Sequence, residues 1–334
     1  MRTLYFLLPG TQGKYRCGGL FVELKTVELA RQFTAVEVVT YRQREAEYRF
    51  LPDVLRQGRR EDVIFVVSWG FDVGKLAARL RSHHVVYHAH SAGYGFQLPA
   101  GVPIICVSRN TMGYWGQHAP HAPIYYLPNQ ISADFCHLQL ERDIDVLVQV
   151  RKSSSYLLEQ LVPTLQRVCR VQVVTTFVED LPKLFNRAKI YLYDSAEYWA
   201  QQGVTEGFGM QPLEALACGC HVFSSVNHGL SDYLDPGFNC SKIAAHSQDY
   251  DVQRILRLLE LWQPMELPET VLAEYRVANI QKRLGVILRD VNHFFDCKPS
   301  FSTTIPPLTR TRILQLQLKR GWSKLQQRLL RSQT

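Results

Sequence analysis

Two carboxylates, Glu206 and Glu214, frame the turn Gly207-Phe208-Gly209-Met210 and the Gln211-Pro212-Leu213 that follows it. Gly207 and Gly209 permit open torsions and close approach of the backbone to a ligand, and Pro212 has the fixed φ of a first helical turn. The pattern predicts a helix from near residue 210, whose free N–H groups and positive dipole end favour a phosphate. A carboxylate accepts hydrogen bonds only, which suits the vicinal hydroxyls of a ribose or hexose. Glu206 before the turn and Glu214 one turn inside the helix can reach one ligand from different sides. The bland alternative, two solvated glutamates on an ordinary strand–turn–helix, fits either residue alone better than it fits the whole string.

Three other clusters have chemistry-bearing types at strand ends. Arg151-Lys152 follows an apolar run and could neutralise a diphosphate, the arginine as a fork and the lysine as a point charge; a solvated strand-end pair is the alternative. Gly18-Gly19 lies after the first strand, where glycines allow a helix N-terminus to face an anion; the preceding Gly10-Thr11-Gln12-Gly13 lacks the spacing of a dinucleotide fingerprint. His88-Ala89-His90 puts two imidazoles on one face of a strand. Packing, a metal pair and a cleft role are all open there, with His90 the better cleft candidate because it is nearer the turn. No further ligand of suitable spacing is visible for a metal, and Asp194-Ser195-Ala196-Glu197 forms no Asp-x-Asp motif.

These groups need elements to position them. Short apolar runs alternate with helical patterns: Thr3–Leu8, Val36–Val39, Val63–Val67, Val85–His88, Ile104–Val107 and Ile124–Leu127, then Asp145–Val150, Val171–Phe177, Ile190–Tyr193 and Val222–Ser225. This is the signature of stacked βαβ units, an α/β chain of two Rossmann-like doubly wound domains with ligands at the carboxyl ends of the strands. The pattern breaks at Pro128-Asn129 and resumes near Arg142, giving a first domain over 1–135 and a second over 136–297, closed by helices over 250–262 and 269–295. A Pro- and Ser/Thr-rich linker, 298–309, leads to a tail, 310–334.

The chain has 334 residues and a net charge of +8, but the tail alone has seven Lys and Arg and no acid, so the body carries only +1. That body has no basic stripe for nucleic acid. Eight scattered cysteines suggest neither a zinc ribbon nor a disulfide framework and fit a reducing, cytoplasmic setting. No run reaches the roughly 18 to 20 apolar residues that span a bilayer.

The string from Glu206 through Ala215-Leu216-Ala217-Cys218-Gly219 resembles the Glu-x7-Glu signature of retaining glycosyltransferases of the group-one family, which have the GT-B fold. Cys220-His221 replaces the family's small residue and proline. Pro128, Asn129, Asp134 and Phe135 resemble its domain boundary, and residues 227–232 resemble a loop that contacts the diphosphate or sugar. The likeness covers residues 1 to about 295 and is strong between Asp194 and Asn239. It implies two Rossmann-like domains facing a cleft and a nucleoside-diphosphate sugar as co-substrate, with no metal or other cofactor.

The resemblance implies roles as well. Arg151, Lys152 and the helix start would support departure of the diphosphate, with Glu206 orienting sugar or phosphate. Glu214 would hold the ribose, Gly207, Phe208, Gly209 and Met210 would form the donor wall, and Gly18, Gly19 and His90 would stand near the sugar. No residue stands out as a base, which agrees with front-face attack in which the leaving phosphate takes the acceptor's proton. A catalytically silent sugar-binding protein and a GT-B epimerase are the alternatives. The acceptor expected is a glycan or a lipid-linked glycan.

In the tail Leu314, Leu318, Trp322, Leu325 and Leu329 recur at three- and four-residue spacing, predicting a basic amphipathic helix. An anionic membrane surface at the inner face, bracing of the first domain and a partner protein are its three readings.

Overall fold

The computed structural model describes residues 1–68, 70–243, 247–265, 267–297 and 308–331, with side chains of 328–331 excepted. In chain order the first part runs β1 (Thr3–Leu8), α1 (Gly18–Ala30), β2 (Val36–Thr40), β3 (Arg49–Phe50), α2 (Leu51–Arg56), β4 (Val63–Ser68), α3 (Val73–Arg79), β5 (His84–Ala89), β6 (Ile104–Cys106), α4 (Arg109–His118) and β7 (Ile124–Tyr126). Its strands form a parallel sheet in the order β3-β2-β1-β4-β5-β6-β7. β4 and β5 are buried along their whole length, which is why they read as continuous apolar runs.

The second part runs β8 (Ile144–Gln149), a π-helical segment Tyr156–Leu161 continuing into α5 (Val162–Leu165), β9 (Val171–Val174), α6 (Leu181–Arg187), β10 (Ala188–Tyr193), α7 (Ala196–Gln202), α8 (Met210–Ala217), β11 (His221–Ser224), β12 (Cys240–Lys242) and α9 (Gln248–Glu260). Its strands pair in parallel in the order β12-β11-β10-β8-β9. Each sheet reverses its strand order once, between β1 and β4 and between β8 and β10, and loops at such switch points are where open α/β sheets bind ligands. The two-sheet α/β architecture expected from the alternating pattern is therefore present.

The end of the chain differs from its reading. The single helix expected over 269–295 is two, α10 (Glu269–Ala273) and α11 (Val277–Cys297), and α11 does not close the second domain. Ile280, Leu284, Ile287, Leu288, Val291 and Phe295 recur every three or four residues, and this stripe is buried against Leu4, Phe6, Leu20 and Val27 of the first domain. Gly285 allows the close contact, since a Cβ there would press on the Phe33 ring. Arg2 ties the end of α11 with bonds to Asn292 and an ion pair to Asp296 at 2.8 Å.

The tail is α12 (Arg310–Arg331), a helix as expected. Most of the linker, 298–307, lies outside the described residues. All eight cysteines are free. Among the described residues no helix is long and apolar enough to cross a membrane.

Candidate functional site

The glutamate turn forms as expected, with α8 starting at Met210 and Gly209 at its N-cap in the left-handed region, φ 72°. A Cβ on Gly209 would overlap Leu230, so glycine is required by torsion and by space. Tyr233 locks the turn by donating to the carbonyls of Gly209 and, at 3.1 Å, Phe208. Two expected wall residues pack their side chains on the core of the second domain. Phe208 is buried against Tyr233 and Tyr275, ring centroids 5.4 and 5.6 Å away, and Met210 packs on the same core. Burial of an aromatic ring outweighs exposing it in a turn, so only the backbone of Phe208 can serve a ligand.

Glu206 and Glu214 occupy opposite electrostatic settings. Glu206 is buried, and its Oε2 accepts from Tyr193 Oη at 2.6 Å, Trp199 Nε1 at 2.6 Å and Ser195 Oγ at 3.1 Å. Its Oε1 lies 3.7 Å from Lys152 Nζ, which also sits 4.4 Å above the Trp199 ring. Glu214 is only 8% exposed, yet its carboxylate makes no hydrogen bond among the described residues. Burial pushes its carboxyl up to about 7, with the positive charge of Lys25 on α1 acting in the other direction.

Of the adjacent cations after β8, Lys152 is the one that reaches Glu206, because its backbone takes a left-handed conformation, φ 69°. Arg151 is exposed and makes no polar contact among the described residues. Left-handed φ recurs at Val226 (49°) and His228 (50°) after β11, and such backbone persists where the surrounding structure holds it. That loop sits on the glutamate turn, with Gly229 N donating to the Glu206 carbonyl at 3.0 Å.

Across the cleft, α1 starts at Gly18 as expected, with Gly18 exposed and Gly19 half-buried. A residue that the sequence reading passed over organises this side. Glu23 is fully buried and accepts from Ser68 of β4, from His88 Nδ1 at 2.7 Å and from His90 Nε2 at 2.9 Å. Burial alone would raise its carboxyl, but the charge and hydrogen bonds of His88 and His90 outweigh it and hold the group well below the usual carboxylate range. Burial and the neighbouring His88 push His90 down. His88 Nε2 is buried without a partner, in keeping with a proton on Nδ1. The signal was present in the chain: Leu20, Glu23 and Val27 share one helical face, and a charge on an apolar stripe needs a partner.

The donor atoms of Glu23, His88 and His90 lie within 4.8 Å of one another, a trio that could close on a metal ion if both protons left. As they stand, both imidazoles are engaged with the carboxylate. Glu23→Ala would remove the acceptor shared by Ser68, His88 and His90 and is expected to cost about 2–4 kcal/mol of stability, read as a lower unfolding temperature. Because the Glu23 carboxyl is depressed when folded, its contribution is present above the ordinary range near pH 4.5 and is lost as pH falls below it. An unfolding temperature unchanged by the substitution would show that the cluster holds nothing together.

The two sides meet at a tight seam. Thr205 N donates to the Ala92 carbonyl at 2.9 Å, Ala92 N to Thr205 Oγ1 at 3.0 Å, and Ser91 Oγ to the Thr205 carbonyl at 2.5 Å. Gly207 lies on the His90 carbonyl, which a Cβ would overlap. Its glycine thus serves the approach of the domains rather than open ligand space. Arg109 and Tyr126 of the first domain reach Asp232 of the second at 2.9 and 3.2 Å. The geometry therefore sets Lys152 beside Glu206, Gly207 against His90 and Glu214 within reach of the charge of Lys25 of the first domain, while Phe208 is buried in the core and Arg151 makes no polar contact among the described residues.

No curated protein matches the chain by sequence. Residues 169–271 match the model of the family described as glycosyl transferases group 1. The fold is similar to a sucrose-phosphate synthase from Thermosynechococcus elongatus, 15% identical over 87% of this chain and 99% of that one with a TM-score of 0.67. It is similar to HepE of Anabaena in complex with UDP, 14% identical over 87% and 100%, TM-score 0.63, and to a glycosyltransferase from Rickettsia africae, 10% identical over 87% and 98%, TM-score 0.62. The segment 169–271 is thus similar to the glycosyl transferases group 1 model, and the two-sheet fold is that of the solved structures of GT-B architecture it resembles.

Proposed function

We propose that this chain is a retaining, metal-independent glycosyltransferase that moves a hexose from a nucleoside-diphosphate sugar to a glycan or lipid-linked acceptor. The observation that carries the reading is Glu214, a carboxylate only 8% exposed that accepts no hydrogen bond from the described residues, beside a turn whose other carboxylate is already bonded to three donors. A pair of ribose hydroxyls would supply the missing donors. Support comes from a protein of the same fold, HepE of Anabaena, solved with UDP-glucose.

The reaction assigns each group a task. The acceptor oxygen bonds to the anomeric carbon on the face that the diphosphate leaves, the carbon–phosphate-oxygen bond breaks, and the departing phosphate oxygen takes the acceptor's proton. Negative charge grows on the diphosphate, so catalysis needs positive charge aimed at it. Lys152 and the N–H groups at the start of α8 supply it, with Arg151 within one residue. Lys152 stands beyond hydrogen-bond length from Glu206, so it can turn to a phosphate while that carboxylate keeps its three other bonds. His90, its Nε2–H held by Glu23, faces the sugar side.

A panel of UDP-, GDP- and ADP-sugars tested by thermal unfolding checks the donor site. One member is expected to add about 2.7 kcal/mol when present at 100 times its dissociation constant. Product analysis then separates the chemistries: transfer or slow hydrolysis with retained anomeric configuration is expected. An epimerised nucleotide sugar from donor alone, or binding without turnover under any acceptor, would overturn the transferase reading.

A further inference from the structure

The structure removes one of the three readings of the tail. Bracing of the first domain by a C-terminal helix is already performed by α11, whose apolar stripe is buried in the core of that domain. α12 is a second, surplus helix. Every described side chain from residue 310 to 327 is exposed, including Leu314, Leu318, Leu325 and Trp322, the last with 68% of its surface open.

The charge pattern narrows what could cover that stripe. With about 3.6 residues per turn, Leu314, Leu318, Trp322 and Leu325 fall within one quarter of the helix circumference. Arg310 and Lys324 border the stripe on one side, and Arg312 and Lys319 on the other. A second copy of the helix would bring seven cations against seven with no acid to pair them, so self-association is opposed. An anionic bilayer offers both halves of the complement. Its acyl boundary takes leucines, its interfacial layer takes a tryptophan, and its phosphates take the flanking lysines and arginines. Glycerophospholipid phosphates are the ligand chemistry implied.

We propose that α12 is a docking helix that lies in the plane of an anionic membrane surface and holds the first domain, where α11 delivers the chain, next to that surface. The inference rests on exposure and charge alone and stands independently of the transferase reading.

The test is co-sedimentation of the full chain with vesicles of phosphatidylcholine alone and of phosphatidylcholine with phosphatidylglycerol. Binding is expected to the anionic vesicles only, and to fall steeply with salt. K319E/K324E and L318D/W322D are each expected to lower the partition coefficient by about tenfold or more. Because every described side chain of α12 is exposed, both variants should keep the unfolding temperature and donor affinity of the parent. Failure of the parent chain to sediment with anionic vesicles at low salt would overturn the proposal, as would equal binding by the variants. A dimer that L318D/W322D dissolves, formed without vesicle binding, would assign the stripe to a second copy instead.

Discussion

Glu214→Gln is expected to make the unliganded protein more stable above pH 7 and, at the same time, a poorer binder of its nucleotide sugar. The buried Glu214 carboxyl is raised from its ordinary 4.5 to about 7. A raised folded value means that the folded state holds the proton more tightly, so the group's contribution is complete below 4.5 and is lost as pH rises through 7. Above that point the protein carries a buried unpaired charge, and removing it should gain on the order of 1–3 kcal/mol. Ligand hydroxyls reverse the sense, since they bond best to the ionised form. Donor affinity of the parent should therefore rise about tenfold from pH 6 to pH 8, as the ionised fraction grows. The glutamine variant should show a flat profile and bind about 10–100-fold more weakly at pH 8, the worth of a charge-assisted bond or pair of bonds. Calorimetric titration across that range, with unfolding scans of both proteins, checks the two halves. A glutamine variant with the parent's affinity and slope would remove Glu214 from the site.

Glu206 is expected to behave in the opposite way, because its charge is paired. Glu206→Ala leaves the Tyr193 hydroxyl, the Trp199 indole N–H and the Ser195 hydroxyl without their common acceptor, and Lys152 without its counter-charge. Breaking a buried charged cluster from one side costs about 3–5 kcal/mol, so this variant should unfold at a much lower temperature and lose transfer outright. Glu206→Gln keeps the shape and one acceptor oxygen, and separates folding from chemistry. It should retain the fold with about 1–2 kcal/mol lost, while transfer drops by about 100–1,000-fold because Lys152 and the sugar lose their orientation. A glutamine variant that folds and turns over like the parent would leave Glu206 as a structural residue only.

The contrast between the two glutamates was not legible in the chain, although their spacing was. Strands such as β4 and β5 announced themselves because parallel strands buried on both faces are unbroken apolar runs, and the start of α8 was written in Gly209 and Pro212. Short elements were silent. β3 has two residues, and α7, with the sequence Ala196-Glu197-Tyr198-Trp199-Ala200-Gln201-Gln202, is too brief for a period to emerge. It is α7 that brings the Trp199 indole to Glu206, a contact with no local signature. Glu23 was readable in principle, from its place between Leu20 and Val27. The helix over 277–297 shows the limit from the other side: a helix was legible there, but which domain it would cover depended on apolar partners on α1 and β1 that are far off in the chain.

In the proposed function the donor occupies the cleft at the start of α8. Hydrogen exchange of the full chain, with and without the nucleotide sugar selected by thermal unfolding, tests it most directly. Protection is predicted in residues 205–214, in the loop after β8 at 150–154 and in the loop after β11 at 225–230, with no change in α12. Saturating ligand that leaves those three segments exchanging as before, while protecting another part of the protein, would contradict it.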